Sequence, residues 1–97
     1  MPDLEWDEAK NAANIAKHGI GFERARRIFD GPVLTLPDKR RDYGEARLIS
    51  IGACDEELIA AVVHTDREGR IRIISARPAS RRERVLYEQE IQTRADE

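Results

Sequence analysis

Between Arg67 and Arg84, seven arginines (67, 70, 72, 77, 81, 82 and 84) stand against two carboxylates, Glu68 and Glu83. A guanidinium is permanently charged and presents a planar fork of donors that matches phosphate oxygens. The chemistry this run suggests is therefore the handling of a phosphate or phosphodiester. Arg81, Arg82 and Arg84 fall in or beside the first turn of a helix, which Ser80 and Glu83 open as a capping box. Cations there oppose the helix dipole at ~0.3–1 kcal/mol each when exposed, whereas the free N–H groups of a helix start favour phosphate. Three cations at the unfavourable end imply that an anion shares the place. The expectation is a single positive pocket assembled from the last strand and the helix start. The plainer alternative is a solvated basic edge, or a dock for an acidic protein segment.

Other residues offer possible partners. Glu45 and Arg47 stand at the start of a strand, where they form either a reactive pair or an ordinary edge ion pair. His64 is the only histidine in a strand and alternates with Leu58, Ala60 and Val62. That pattern predicts a half-buried imidazole, fit for acid–base work or simply satisfied in the core. Lys10, Asn14 and Lys17 follow i, i+4, i+7 spacing and form one polar ridge. His18 is expected to cap the carbonyls of its helix. Tyr87 either stacks on a base or packs with Ile91, and Trp6 staples the first helix to the sheet. No metal site is expected: Cys54-Asp55-Glu56-Glu57 is acidic but occupies a hairpin turn, and no histidine cluster accompanies it. No cofactor loop is expected either, since no strand precedes Gly19-Ile20-Gly21.

The elements that must position these groups follow from local signals. Leu4-Glu5-Trp6 reads as a short strand. Asp7 is an N-cap for a helix to about His18, stopped by Gly19. Ala9, Ala12, Ala13 and Ala16 have the spacing of a packed helix face. A second helix, about Phe22 to Asp30, buries Phe22, Ala25, Ile28 and Phe29, and Gly31-Pro32 ends it. Val33 to Pro37 is a strand, followed by a charged loop from Asp38 to Glu45. Strands over 46–53, 58–66 and 70–76 come next, joined by hairpin-length turns, with Gly69 supplying a positive φ. The last helix runs from Ser80 to about Gln92. The order β-α-α-β-β-β-β-α predicts an α+β fold, an antiparallel sheet packed with two N-terminal helices and one C-terminal helix.

Ninety-seven residues suit a single domain over 1–97. One cysteine excludes an internal disulfide framework and a Cys-rich zinc site. The acidic N-terminus is unlike a signal peptide, and no apolar run reaches membrane-spanning length. The expected location is the cytoplasm, with no membrane partner. A net charge of −2 argues against a nucleic-acid partner only if charge is spread evenly; a locally basic segment creates a positive face on an acidic chain.

Several segments together carry a resemblance. They are Trp6-Asp7, Lys10, Asn14, Lys17-His18-Gly19 and Phe22; Gly44-Glu45 and Arg47; Val62-Val63 and Thr65; Arg72-Ile73-Ile74-Ser75-Ala76-Arg77; and Glu83-Arg84 with Tyr87. In this order and spacing the chain resembles the BrnT family of type II toxin–antitoxin toxins over about residues 4 to 88. Pro78 departs from the pattern, since a second basic residue is common there in the family. The resemblance implies a RelE-like fold and a ribonuclease that halts translation. It also implies a BrnA antitoxin whose ribbon-helix-helix part binds DNA, so that DNA is met only through that partner.

Cutting RNA without a metal requires a base for the 2′-OH proton, cations for the charge building on phosphorus, and an acid for the leaving 5′-oxygen. Arg77 is the first choice to stabilise that charge, with Arg47 as a second clamp, Glu45 as base and His64 as acid or base. Lys17, Arg72, Arg81 and Tyr87 are the expected RNA-binding residues. The alternative class is a non-catalytic basic-faced module that only docks RNA or protein. A DNA-binding repressor would need a helix-turn-helix, which the sequence lacks.

Overall fold

The computed structural model describes residues 3–40 and 42–97, so Met1, Pro2 and the Arg41 position of the charged loop lie outside the described residues. Strand β1 (Leu4–Glu5) leads into α1 (Glu8–His18), where the Asp7 carboxylate accepts hydrogen bonds from the backbone N–H of Ala9 and Lys10. Gly19 ends the helix at φ 74°, a left-handed conformation that glycine adopts without a Cβ clash. Helix α2 (Phe22–Ala25) tightens into a 3-10 turn over Arg26–Asp30. Then come β2 (Leu34–Pro37), β3 (Leu48–Ala53), β4 (Ile59–Arg67), β5 (Arg70–Pro78) and α3 (Arg81–Ala95). Ser80 and Glu83 make the predicted capping box at the start of α3. The β4–β5 turn is Glu68-Gly69, with φ of 55° and 82°, the two positive values of a tight primed hairpin.

The strands form one sheet in the order β1-β5-β4-β3-β2; β1 is parallel to β5, and the other pairs are antiparallel. The fold is α+β, with the predicted element order. On one face, Phe22, Ala25 and Ile28 pack on Ala60, Val62, Ile73 and Ala76, and Trp6 meets Phe22 edge-on with centroids 6.0 Å apart. On the opposite face, Tyr87 and Ala79 pack on Ile51 and Ala61. These are called the α2 face and the α3 face below.

A bulge in β5 decides which residues reach the α3 face. Val63 pairs with Ser75, but His64 pairs with Ile73, so Ile74 is an extra residue. Five positions separate Arg72 from Arg77, and in a regular strand they would point to opposite faces. The extra residue restores both to the α3 face, where Arg77 stands opposite Ala61 and Arg72 opposite Thr65.

One sequence expectation is overturned. Ala9, Ala12, Ala13 and Ala16 are exposed, and the residue of α1 that is buried is Asn14. Because β1 is two residues long, it pairs with β5 only at Ile71 and Arg72. Further along, Asn14 takes the place of the missing strand. The Ala76 N–H donates to its Oδ1 (3.1 Å), and its Nδ2 donates to the carbonyls of Ala76 and Ile20 (2.8 Å each). A buried backbone group left unpaired costs about 1–3 kcal/mol. Satisfying three such groups outweighs the small burial on offer from four alanine methyls. The polar ridge therefore turns toward the sheet edge, and the alanines turn to solvent.

Candidate functional site

Beyond Ala61, the α3 face opens into a cleft of about 520 Å³. Its floor is Val63, Ile74 and Ser75, and its rim carries Lys10, Lys17 and His18 from α1, Arg40 from the β2–β3 loop and Arg77 from β5. The orientation imposed on α1 by Asn14 brings the two lysines here. The bulge at Ile74 brings in Arg77. Neither lysine is in an ion pair among the described residues.

Both guanidiniums are held from behind. Arg77 donates from Nη1 and Nη2 to the two carboxylate oxygens of Glu83 at 2.6 and 2.9 Å. Arg40 donates from Nε and Nη2 to those of Asp38 at 2.8 and 2.9 Å. A guanidinium has five N–H donors, so each keeps part of its fork for another acceptor while the carboxylate fixes its plane. Four cations offset by two carboxylates leave the cleft a surplus of two positive charges. The Arg77 guanidinium beside Glu83 holds that carboxyl at about 2. The Arg40 side chain holds the Asp38 carboxyl at about 2, with a smaller contribution from Tyr43. In turn Glu83 raises Arg77, and Asp38 raises Arg40. Both pairs are fully ionised near neutrality.

The predicted residues are only partly brought together. Arg77 and Lys17 line the cleft. Arg72 shares its face but lies roughly 15 Å along the strand at ~3.3 Å per residue, bonded to Glu5 at 2.7 Å. Arg84 donates to the Ala79 carbonyl at 3.0 Å. Arg81 and Arg82 are exposed on the first turn of α3, outside the cleft lining. The single pocket expected from the arginine run does not form, because strand and helix aim successive guanidiniums in different directions. Arg47 stacks on the Tyr43 ring at 4.0 Å, and its buried Nε has no hydrogen-bond partner among the described residues. Glu45 is exposed and lies outside the cleft lining.

His64 and Tyr87 are placed apart from the cleft. His64 points to the α2 face, 5% exposed, edge-on to Phe29, with its Nε2 2.7 Å from Ser50 Oγ. Burial pushes its imidazole down, against a weaker opposing pull from Asp66. A sheet separates it from Arg77, so the two cannot meet at one phosphate. Tyr87 is buried in the α3 core, and its hydroxyl donates to the Pro32 carbonyl at 3.3 Å. Its ring is not available to stack on a base.

The sequence does not single out Arg40, Asp38 or His18 as site residues, and it marks Lys10 only as part of a polar ridge. Asp38 and Arg40 sit in a loop with no periodicity to assign a direction. His18 reads from sequence as a helix cap, although its wheel position beside Asn14 is a usable signal.

An α+β sheet carrying a cleft rimmed by four cations, two of them fixed by carboxylates, is a fold and site of a kind suited to anionic ligands. The family model described as "Ribonuclease toxin, BrnT, of type II toxin-antitoxin system" matches residues 6–83. The chain belongs to the BrnT family. It is similar to the Brucella abortus ribonuclease toxin BrnT, known from a 1.1 Å crystal structure, with 30% identity and a TM-score of 0.65 over 84% of this chain and 100% of that one. No curated protein matches the chain. Membership in a type II system implies an antitoxin partner. Among the described residues no helix is long and apolar enough to cross a membrane.

Proposed function

We propose that this chain is an endoribonuclease that cuts mRNA by 2′-OH attack without a metal ion, and so inhibits translation. The observation that carries this reading is the convergence of Lys10, Lys17, Arg40 and Arg77 on one cleft, with both guanidiniums fixed by carboxylates. Phosphodiester cleavage through the adjacent hydroxyl needs no protein nucleophile. It needs charge stabilisation at phosphorus, and preorganised donors supply that without reorganising as the charge develops. Arg77 and Arg40 take the non-bridging oxygens, and the lysines hold flanking phosphates. The cations on this rim would repel a divalent ion, and its two nearby carboxylates are already committed to guanidiniums, so the cationic side chains carry the electrostatic work themselves. Arg47, Glu45, His64, Arg72, Arg81 and Tyr87 lie outside the cleft lining and are given no part in the chemistry.

The proposed partner is a BrnA-type antitoxin with a ribbon-helix-helix DNA-binding part, in the cytoplasm. Incubation of the purified chain with an mRNA transcript in EDTA tests the catalytic reading. Fragments that disappear with Arg77→Ala, in a variant that still melts cooperatively, are the expected result, with a loss of about 10²–10³. Binding without fragments would favour a non-catalytic RNA-docking module instead.

A further inference from the structure

His18 is the imidazole of the cleft. It closes α1 just before the left-handed Gly19, is half-buried, and lines the cavity with Lys10 and Lys17 from its own helix, Arg40 from the β2–β3 loop, and Ser75 and Arg77 from β5. Asp38 and Glu83 stand behind the two guanidiniums, each bonded to one of them. The chain's other histidine is buried on the opposite face. We propose that His18 is the catalytic base that takes the 2′-OH proton of the RNA, an inference that rests on the ribonuclease reading above.

Elimination within the cleft supports this role. Ammonium and guanidinium groups donate hydrogen bonds but have no lone pair to receive a proton. The Ser75 hydroxyl is not basic. Asp38 and Glu83 are each committed to a guanidinium and held at about 2, where a carboxylate is a feeble base. A neutral imidazole has a ring-nitrogen lone pair that can take up a proton, which none of the other groups lining the cleft offers. In the step, a neutral ring nitrogen of His18 takes the 2′-OH proton while the 2′-oxygen bonds to phosphorus. The P–O5′ bond breaks, its electron pair goes to the 5′-oxygen, and that oxygen takes a proton from water. The imidazolium returns its proton to the hydroxide left behind. The products are a 2′,3′-cyclic phosphate and a 5′-hydroxyl.

The test is the pH dependence of single-turnover cleavage of an mRNA transcript in EDTA by the full chain. Wild type is expected to lose rate with unit slope as pH falls, to leave cyclic-phosphate ends, and to spare 2′-O-methyl RNA. His18→Gln is expected to lose about 100-fold or more in kcat, with KM within threefold, and to lose the acid limb. Added imidazole is expected to restore part of the rate to His18→Ala, a rescue that a structural role would not give. A His18→Gln rate within tenfold of wild type, or no rescue in a folded His18→Ala, overturns the assignment. The absence of an acid limb in wild type overturns it whether or not the variants fold. Wild type that leaves RNA intact sinks the ribonuclease reading as well, whereas wild-type cleavage with an unimpaired His18→Gln sinks the role of His18 alone.

Discussion

Arg77 and Glu83 face one another across the junction of β5 and α3, joined by two parallel hydrogen bonds of 2.6 and 2.9 Å. Glu83 also accepts from the Ser80 backbone N–H at 2.8 Å. One carboxylate therefore fixes the plane of the cleft guanidinium and caps the helix that carries it.

That double duty predicts an acid-dependent stability. The folded Glu83 carboxyl is held at about 2 against an ordinary 4.5, so the folded state binds fewer protons than the unfolded chain between these values. The stabilisation is fully present above about pH 4.5 and is lost as pH falls toward 2. It amounts to about 1–2 kcal/mol after solvent screening. Melting temperatures between pH 6 and 2 should fall less steeply for Glu83→Gln than for wild type. Equal slopes would contradict the coupling. The same variant should slow cleavage about tenfold, since Arg77 loses its fixed plane.

Lys10 and Lys17 should act through the RNA backbone. They stand two helical turns apart, about 10 Å along α1 at 1.5 Å per residue, and so reach separate phosphates of a single strand. The double variant Lys10→Ala/Lys17→Ala should flatten the dependence of log Kd on log salt by roughly 1.4, at ~0.7 per phosphate contact. Binding measured by anisotropy from 50 to 300 mM salt decides this. An unchanged slope would remove the lysines from the interface.

His64 is predicted to matter for stability and not for cleavage. Burial lowers its proton affinity, so the folded state favours the neutral ring and the unfolded chain takes up the proton first. Its contribution is complete above about pH 6.5 and is lost as pH falls below that. His64→Gln keeps a neutral hydrogen-bonding group beside Ser50 and should abolish that part of the pH dependence between 7 and 5. Cleavage at pH 7 should stay within threefold of wild type. A hundredfold loss would return His64 to the chemistry.

Asn14 carries the orientation of α1. Asn14→Ala leaves the Ala76 N–H and the Ala76 and Ile20 carbonyls without their partner, at ~1–3 kcal/mol for a buried unpaired group. Urea unfolding should show a loss of about 3 kcal/mol or more, together with weaker RNA binding as the lysine ridge moves. A loss below about 1 kcal/mol would show that the edge is satisfied in another way.

The elements were readable because their signals are local. Asp7 and Gly19 bracket α1, Ser80 and Glu83 open α3, and the apolar run from Leu58 to Val63 marks β4. The cleft was read only in part. The run from Arg72 to Arg84 is conspicuous as composition, yet Arg72 is drawn to Glu5, Arg84 to a carbonyl, and Arg77 alone to the site. Helix periodicity gave the right two faces of α1 but assigned the wrong one to the protein. Apolar spacing ranks alanine methyls as core, and nothing local reveals that a two-residue β1 leaves Ala76 to be paired by Asn14. Arg40 and Asp38 depend on the path of a loop.

The extra residue at Ile74 gives this stretch a frame, much as a codon has one. Pairing all six residues from Arg72 to Arg77 regularly, with none left over, would leave strand propensity nearly untouched and put the two arginines on opposite faces. With Arg72 kept in place, Arg77 would then point toward the apolar layer of Phe22 and Ile28 instead of into the cleft. Deleting the bulged residue would leave the alternation intact, since positions four apart share a face, whereas losing the irregularity without losing the residue would bury a charge.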